Sequence, residues 1–419
     1  MRAAAARPSG RSRRHATTIP DDLAKPGFRR ARTPTLTPPG RTWPAEGVGR
    51  RAHPRRACEG VVVVIHEIDL STVSPAAHPE EMDEIRRFLA AHDLDLDTTL
   101  EVVVTARHYG TLLGCAGLTG DVVKCVAVAE EMQGHDLLPR LMLEVSFLAL
   151  DRGHPHLFLY TSPRNETAFR ACGFHPIVTV PDQVLMMENT PRGVHAYAEE
   201  LRSYRRERER VGAVVLNANP FTLGHRHLLT RAASECDYLH VFVVGEDSSA
   251  FPFAQRLALV REGVSEMDLR DRIHVHPGTR YVVSKATFPT YFIKDRGIVD
   301  LVATAVDLLV FRQHIAPSLG VTHRYVGTEP FCTVTRQYNA DMHYWLERRD
   351  LPAPPIEVVE IPRLERGGAA ISATEVRRRL AAGDLDGLRP LVPRPTWQLL
   401  TSSPASARAL APSPTSGGA

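Results

Sequence analysis

The second half of the chain alternates short β-branched segments with helix-like segments, and this alternation constrains the fold more than any other feature. Strands that are apolar along their whole length, and that are separated by helices, are typical of a parallel sheet covered on both faces. Such a sheet binds ligands beyond the carboxyl ends of its strands. We therefore predict a parallel α/β domain over residues 212–400. Its predicted strands are 211–219, 238–245, 272–278, 323–327 and 356–361.

The first half of the chain has a different pattern, with short strands around two longer helices. Within residues 100–130, predicted strands are separated by Tyr109-Gly110 and Gly120-Asp121, which are typical hairpin turns. We predict a mixed α/β domain over residues 59–195, built on a mainly antiparallel sheet. A densely charged helix over 196–211 is predicted to connect the two domains. The predicted helices of the first domain are 79–93, 137–150 and 165–174.

Charge is distributed unevenly along the 419 residues. Residues 1–58 contain 13 Arg and one Lys against three acidic residues, a net charge of +11, whereas the whole chain carries +3. The remainder is therefore acidic, which argues against nucleic acid as a partner. The basic segment is rich in Pro and poor in large apolar residues, so we predict a disordered or mis-assigned start and not a transit peptide. The tail 401–419 is also predicted to be disordered.

The chain has no apolar run approaching the roughly 20 residues that cross a bilayer, so no membrane partner is expected. The six cysteines form no C-x-x-C pair and have no spacing typical of zinc ligands. Scattered thiols of this kind favour a reducing compartment. We predict a cytoplasmic protein without a structural metal site.

The stretch NANPFTLGHRHLLTRAA at 217–233 places a glycine and a histidine where the first parallel strand gives way to a helix. The first N–H groups of a helix lack internal partners and stabilise an anion. Gly224 would let a phosphate approach the backbone, and His225 could donate a hydrogen bond to it. Thr222 is a second candidate donor, although a helix N-cap explains a threonine there equally well.

A second helix start, AISATEVRRRL at 370–380, follows the last predicted strand. Ser372 and Glu375 have the spacing of a capping box. The box leaves Thr374 and Arg377 unexplained. A hydroxyl, free N–H groups and a guanidinium at this position could together hold the β- and γ-phosphates of a nucleotide. Two such helix starts at one edge of a sheet would form a triphosphate clamp.

The first helix start resembles the HxGH motif of the nucleotidyltransferase superfamily, with Thr222 in place of the first histidine, and ISATEVR resembles its second signature. Longer runs are similar to citrate lyase ligases and extend over roughly residues 60–400, including a module that resembles the GNAT acetyltransferases. The resemblance implies a GNAT-like mixed α/β domain followed by a Rossmann-like parallel-sheet nucleotidyltransferase domain. The runs include NANPFTLGHRHL, EDSSAFPFAQRLALV, ATFPTYFIKD, IAPSLGVTHRYVGTEPFCTVTRQYN and RLERGGAAISATEVR.

The resemblance also implies an activity. ATP would activate acetate as an acetyl-adenylate, and the acetyl group would pass to the prosthetic-group thiol on the acyl carrier subunit of citrate lyase, with release of AMP and pyrophosphate. His225 and Thr222 would stabilise the α-phosphate, and Gly224 would admit it. The departing pyrophosphate would be held, with Mg²⁺, by Ser372, Thr374 and Arg377. Further nucleotide-binding candidates are Asn219, Pro220 and Phe221, and two less specific ones are Arg256 and Lys294.

The GNAT-like module departs from its family pattern at the diphosphate-binding turn, Gln133-Gly134-His135-Asp136-Leu137-Leu138. Asp136 stands where the pattern has a glycine and brings a negative charge toward a diphosphate. Leu138 replaces a small residue that would permit close approach. We therefore predict that this module binds acetyl-CoA poorly and serves in docking or carrier recognition.

Two other functions stay open at this level. An adenylyltransferase acting on a small phosphate ester would use the same parallel-sheet domain, although the attached GNAT-like module argues against it. A GNAT N-acetyltransferase with a regulatory nucleotide-binding domain is the third hypothesis, against which Asp136 and Leu138 argue. Acetate-dependent formation of AMP distinguishes the ligase from both.

Overall fold

The computed structural model describes residues 67–245, 250–284, 304–329 and 333–402, all within one compact unit. The predictions for residues 1–58, for Lys294 and for the tail beyond Ser402 fall outside these ranges. Within them, no helix is both long enough and apolar enough to cross a membrane.

In the described part of the chain, seven strands form the first sheet in the order β1-β2-β3-β4-β5-β7-β6. Neighbouring strands run antiparallel except β4 and β5, which are parallel. The mainly antiparallel sheet confirms the prediction, as do the hairpin turns, where Gly110 and Gly120 have positive φ angles of 83° and 53° that favour glycine. The strands are β1 Asp69–Val73, β2 Val102–His108, β3 Thr111–Thr119, β4 Val122–Val128, β5 Phe158–Thr161, β6 His175–Val180 and β7 Val184–Glu188.

Two amphipathic helices cover the two faces of this sheet. The apolar side of α1 (Pro79–Ala91) buries Ile85 and Leu89 in one core, and the apolar side of α2 (Leu137–Asp151) buries Leu141 and Val145 in another. Both helices lie where the sequence predicts them. A short helix, α3 (Glu166–Ala171), ends before a glycine with left-handed backbone, also as predicted. We call residues 67–202 the first module.

The charged connecting helix predicted over 196–211 is only partly present. Helix α4 spans Gly193–Arg202, and residues 205–210 are not helical. The helix ends because Tyr204 packs on the ring of His274 with centroids 4.3 Å apart, and because Val211 already pairs with Tyr238 in the second sheet. Tertiary packing therefore overrides the helix propensity of the Arg/Glu-rich run.

Within the described ranges, five parallel strands form the second sheet in the order β10-β9-β8-β11-β12. All five predicted strands are present, so the predicted order of a mixed α/β domain followed by a Rossmann-like parallel sheet is confirmed. The strand order reverses between β8 and β11, and open α/β sheets bind ligands at such a point. The strands are β8 Val211–Leu216, β9 Tyr238–Val243, β10 Ile273–His276, β11 His323–Gly327 and β12 Glu357–Ile361.

Helices pack on both faces of the second sheet, as continuous apolar strands require. After β12, a two-stranded ribbon of β13 (Glu365–Arg366) and β14 (Ala369–Ala370) leads into the last helices. A π-helical turn at Phe311–Ile315 interrupts α7. The helices are α5 Leu223–Glu235, α6 Phe253–Ser265, α7 over residues 304–319, α8 Thr333–Glu347, α9 Ala373–Ala381, α10 Leu385–Leu388 and α11 Arg394–Ser402.

The two sheets share a polar junction around the buried carboxylate of Glu188, at the end of β7. This carboxylate accepts hydrogen bonds from the hydroxyl of Tyr281 over 2.6 Å and from the N–H of Val194 over 2.8 Å, and it lies 2.8 Å from Nε2 of His156. A buried charge is tolerated where several donors satisfy it. The junction therefore fixes the first module against the loop that follows β10.

Candidate nucleotide site

The turn after β8 brings Asn219 to the carboxyl edge of the second sheet. Ala218 adopts a positive φ of 49°, which turns the chain away from the strand direction. The main-chain N–H of Phe251 donates to Oδ1 of Asn219 over 3.1 Å and fixes that side chain. Because β8 lies next to β11, this turn is at the point where the strand order reverses.

The start of α5 fixes the imidazole of His225. The N–H of His225 donates to Oγ1 of Thr222 over 3.3 Å, and the N–H of Thr222 donates to Nδ1 of His225 over 3.1 Å. This is a reciprocal capping box in which an imidazole occupies the position that a carboxylate or carboxamide usually takes. Because Nδ1 accepts a hydrogen bond, the neutral ring carries its hydrogen on Nε2.

The electrostatic surroundings keep this ring neutral. Burial, together with the positive charge of Arg363, lowers the pKa of His225 to about 4. Phe221 is fully buried beneath the ring, with ring centroids 5.9 Å apart and 13° between the planes. A neutral imidazole held in this way offers an Nε2–H donor to an oxygen whose negative charge grows in a transition state.

The start of α9 is capped by Ser372, whose Oγ accepts a hydrogen bond from the N–H of Glu375 over 3.1 Å. The predicted capping box is only half formed. The carboxylate of Glu375 instead pairs with Arg378 and Arg379, at distances of 2.7 and 2.6 Å. Two nearby guanidinium groups attract the carboxylate more strongly than one main-chain N–H does. Arg378 is exposed to solvent.

The two helix starts converge. A Cβ atom on Gly224 would lie 2.7 Å from the main-chain oxygen of Ile371, so the two segments approach more closely than any other residue type allows. Arg377 donates from Nη1 to the main-chain oxygen of Asn219 over 2.6 Å and from Nη2 to Oγ1 of Thr374 over 3.1 Å. The arrangement places two helix N-termini, a guanidinium and a neutral imidazole at one edge of the sheet, which suits a polyphosphate.

The part of the chain that contains both helix starts is similar to known proteins. Residues 211–400 match the family model described as Citrate lyase ligase C-terminal domain. The [Citrate [pro-3S]-lyase] ligase of Escherichia coli (strain K12) is 46% identical over 332 residues, which cover 79% of this chain and 94% of that relative. This chain belongs to the citrate lyase ligase family. The ligase of the same name from Klebsiella pneumoniae is 42% identical over 318 residues, covering 76% of this chain and 92% of that relative.

Solved structures are similar to a smaller part of this chain than the citrate lyase ligases are. Escherichia coli ElaA covers 29% of this chain and 98% of its own at 15% identity, with a TM-score of 0.27. An acyl-CoA N-acyltransferase from Pseudomonas aeruginosa covers 29% and 99% at 14% identity, with a TM-score of 0.26. At such scores no functional conclusion follows from these structures.

The structure shows the surroundings of four further residues that the sequence predicts at this site. Thr222 is 1% exposed and its hydroxyl contacts His225, so this side chain positions the imidazole. A glycine is required at position 224 because the main-chain oxygen of Ile371 leaves no room for a side chain there. Phe221 supports the imidazole from below. Pro220 is buried in the turn as well.

Arg256 is completely buried and holds the ends of three segments together. Its Nε donates to the main-chain oxygen of Phe251, and its Nη1 lies 2.8 Å from both oxygens of Asn217 and from the main-chain oxygen of Val244. A guanidinium surrounded by backbone oxygens supports the loops around the site. A completely buried guanidinium does not favour the contact with phosphate that the sequence suggested for Arg256. The other candidate of this kind, Lys294, lies outside the described residues.

Sequence reasoning missed Arg363, which follows β12. Its Nε donates to the main-chain oxygen of Thr328 over 2.7 Å, its Nη2 pairs with Glu329, and its positive charge acts on His225. Its position in the sequence could have indicated it, because the run RLERGG follows the carboxyl end of a predicted parallel strand, where ligands bind. Arg363 therefore joins Arg377 as a second guanidinium at the site.

No group of three or more potential metal ligands of the His, Cys, Asp or Glu type occurs among the described residues. The acidic side chains near the helix starts are already paired, Glu329 with Arg363 and Glu375 with Arg378 and Arg379. Mg²⁺ is commonly held by few protein ligands, several waters and the phosphates of a nucleotide. The side chains present fit that mode, in which phosphate oxygens of the nucleotide and water supply most of the coordination.

Proposed function

We propose that this chain is an ATP-dependent ligase that activates acetate as acetyl-adenylate and acetylates the prosthetic-group thiol of the citrate lyase acyl carrier subunit. Its membership of the citrate lyase ligase family supports this activity. The single structural observation that carries it is the convergence of the two helix starts, with Arg377 bonded to Asn219 and the neutral His225 beside them.

The reaction needs two substitutions. An acetate oxygen attacks the α-phosphorus of ATP, the bond to the bridging oxygen breaks, and pyrophosphate leaves with that electron pair. The carrier thiolate then attacks the acetyl carbonyl, and AMP leaves as a phosphate anion. Acetate alone is a poor acyl donor because its oxygen leaves badly, and the adenylate replaces it with a good leaving group.

The site residues act by position and charge in this scheme. His225 donates from Nε2 to an α-phosphate oxygen, on which negative charge grows as phosphorus becomes five-coordinate. Thr222 and Phe221 hold the ring, as their contacts with it indicate. Arg377, with Thr374, Ser372 and the N–H groups of α9, holds the departing pyrophosphate. None of these residues acts as a nucleophile.

In this proposal, Mg²⁺ binds together with the triphosphate of ATP. When bound, it would neutralise phosphate charge and help pyrophosphate leave. On the protein side, the positive charges of Arg363 and Arg377 and the two helix N-termini would share that task. The protein residues orient the triphosphate of ATP, and this orientation does not require a metal site built from protein ligands alone.

The proposal places the protein in the cytoplasm, with acetate and the carrier thiol as partners and with no part for nucleic acid. Cys115, Cys125, Cys172 and Cys236 are free thiols. Free thiols are typical of a reducing compartment, and a reduced carrier thiol is what the second step requires.

One assay tests the proposed function. The full chain is incubated with ATP, Mg²⁺ and radiolabelled acetate, with and without deacetylated citrate lyase, and AMP and protein-bound acetyl are measured. We expect acetate-dependent AMP formation and labelled carrier. Transfer of AMP to a phosphate ester without any acetate dependence, or acetyl transfer from acetyl-CoA alone, would overturn the proposal in favour of an adenylyltransferase or an N-acetyltransferase.

A further inference from the structure

A stripe of exposed apolar side chains runs along the outer face of α2. Leu143, Phe147 and Leu150 are 57%, 54% and 54% exposed, although each is a large apolar residue. Their spacing of four and then three residues places them on one face of the helix. The opposite face of α2 is buried in a core of the first module through Leu141 and Val145. We call Leu143, Phe147 and Leu150 the α2 stripe.

The α2 stripe differs from the other exposed apolar side chains of the described residues. The further large ones are Tyr109, Tyr344 and Leu385, and each lies on a different element of the fold. Single exposed apolar residues are common on protein surfaces, whereas a contiguous group marks a surface that contacts something else. The α2 stripe therefore indicates that another segment or molecule covers this face of the helix.

The described part of the chain begins at one end of the α2 stripe. Arg140, three residues before Leu143, lies on the same helix face as the stripe. Its Nη2 donates a hydrogen bond to the main-chain oxygen of Ile68 over 3.3 Å. Because the described residues begin at Glu67, the part of the chain that precedes them is attached next to the stripe.

The sequence directly before this point supplies a complementary segment. Residues 62–65 are three valines and an isoleucine, and they belong to the one run of large apolar side chains before Glu67. Such β-branched residues favour an extended backbone. None of them is charged. Contact with the leucine and phenylalanine side chains of the stripe would therefore remove apolar surface from water without burying a charge.

The lengths of the two segments match. Leu143 and Leu150 are seven residues apart on a helix, which corresponds to about 10 Å along its axis. Four extended residues span about 13 Å. Two residues, 66 and 67, separate the segment from Ile68, and a connection of two residues is enough to reverse the direction of a chain. Residues 62–65 are therefore long enough to follow the whole stripe.

A second copy of the chain is a poorer occupant of the α2 stripe. A stable interface between two proteins covers about 800 Å² of each partner, whereas the stripe consists of three side chains that are each about half exposed. A segment of the same chain does not need so large an area, because covalent attachment keeps its effective concentration high. The small size of the stripe favours an occupant from the same chain.

We propose that residues 62–65 lie extended along the α2 stripe, antiparallel to the helix, and cover it. This inference goes beyond the proposed ligase function and does not depend on it. The segment acts as a strap that keeps Leu143, Phe147 and Leu150 out of water. The packed part of the chain then starts at residue 62 and not at Glu67.

Thiol labelling of the full chain tests the proposal. Phe147→Cys places a thiol in the centre of the α2 stripe. Glu144→Cys is the matched control, because Glu144 is exposed on the same helix outside the stripe. The probe is a water-soluble maleimide, and peptide mass mapping separates the introduced thiol from the native cysteines. Slow labelling of Cys115, which is buried in the first module, shows that this module stays folded.

We expect Phe147→Cys to be labelled at least tenfold more slowly than Glu144→Cys, at every protein concentration. Adding Val62→Asp with Val63→Asp should bring the two labelling rates to within threefold of each other. Successive side chains of an extended segment point to opposite faces, so one of the two carboxylates must face α2 in either register. If Cys115 is labelled rapidly in this variant, Val62→Ser with Val63→Ser is used and the same ratio is measured.

A second pair of substitutions controls for the added charge. Ala52→Asp with His53→Asp introduces the same number of carboxylates upstream of residues 62–65. The slow labelling of Phe147→Cys should persist in this background. Loss of the protection here as well would overturn the proposal, because the effect would then follow net charge and not the strap.

Three further results would overturn the proposal. Labelling of Phe147→Cys as fast as that of Glu144→Cys would show an uncovered stripe, and protection that appears only with deacetylated citrate lyase would assign the stripe to that partner. Protection that increases with protein concentration would assign it to a second copy of the chain. Protection that survives the substitutions at Val62 and Val63 would exclude residues 62–65 as the cover.

Discussion

Arg377 and Asn219, 158 residues apart in the chain, are joined by a hydrogen bond of 2.6 Å from Nη1 to the main-chain oxygen. This contact links the N-terminal half of α9 to the turn after β8. Because Nη2 of the same guanidinium contacts Thr374, the side chain spans both halves of the site. The proposed triphosphate site requires these two segments to stay together.

Arg377→Lys should lower the rate of acetate-dependent ATP–pyrophosphate exchange by on the order of 100-fold, because an ammonium cannot reproduce a fork that contacts two segments and a phosphate. Arg378→Lys is the matched control, since Arg378 is the exposed neighbour on the same helix. Equal exchange rates in the two variants would show that the contact with Asn219 is structural only.

His225→Ala should lower kcat for AMP formation by on the order of 100-fold, as the removal of one transition-state donor does. Folding should change little, because Phe221 stays buried beneath the vacated position. His227→Ala, on the same helix, serves as the control. A His225→Ala enzyme within a few-fold of the parent would remove the imidazole from the proposed chemistry.

Gly224→Ala should destabilise the protein by about 2 kcal/mol, since its methyl group would meet the main-chain oxygen of Ile371 and one of the two segments must shift. The control is Gly327→Ala, because a Cβ on Gly327 meets no atom within 4 Å. Urea unfolding measures the difference. A Gly224→Ala protein as stable as the control would mean that the two segments separate easily.

Arg256→Leu should cost about 3 kcal/mol of unfolding free energy, because it removes the buried guanidinium that donates to the main-chain oxygens of Phe251, Asn217 and Val244. Arg261→Leu, an exposed position on the same helix, should change stability little. If Arg256→Leu folds with parental stability and loses only ATP affinity, Arg256 contacts phosphate after all.

Stability should decrease as the pH falls below about 6.5. Burial, with the charges of His274 and Arg206, lowers the pKa of His240 to about 3, and burial beside His240 and His274 lowers the pKa of His276 to about 2. In the unfolded chain both titrate near 6.5. The unfolded state therefore binds more protons between these values, and each histidine contributes stability that is complete above pH 6.5 and is lost toward lower pH.

Urea unfolding between pH 7.5 and 5.0 measures this loss, which should approach roughly 1.4 kcal/mol per pH unit for each histidine. His276→Gln should show a shallower dependence than the parent. His78→Gln, at an exposed position, should follow the parent. Identical slopes in all three proteins would show that the hydrogen-bonded pair of His240 and His276 does not govern the acid sensitivity.

Local sequence patterns predicted the elements well. Strands β2, β3 and β4, the five parallel strands of the second sheet, and the helices α1, α2 and α5 follow from the periodicity of apolar residues, which depends on neighbours within one or two turns. The N-caps Thr222 and Ser372 follow from the same local chemistry. The charged run after Arg202 was predicted incorrectly as helix, because the contact of Tyr204 with His274 comes from a strand 70 residues later.

The sequence by itself determined that two helices would begin at the carboxyl edge of a parallel sheet, and which polar side chains would stand at each start. Only the tertiary structure decided what those side chains do. It turned Thr222 toward His225, placed Gly224 against Ile371, buried Arg256 under three loops and brought Arg363 to the imidazole. The physical reason is that capping depends on backbone groups three residues away, whereas these contacts depend on how strands distant in sequence are ordered in the sheet.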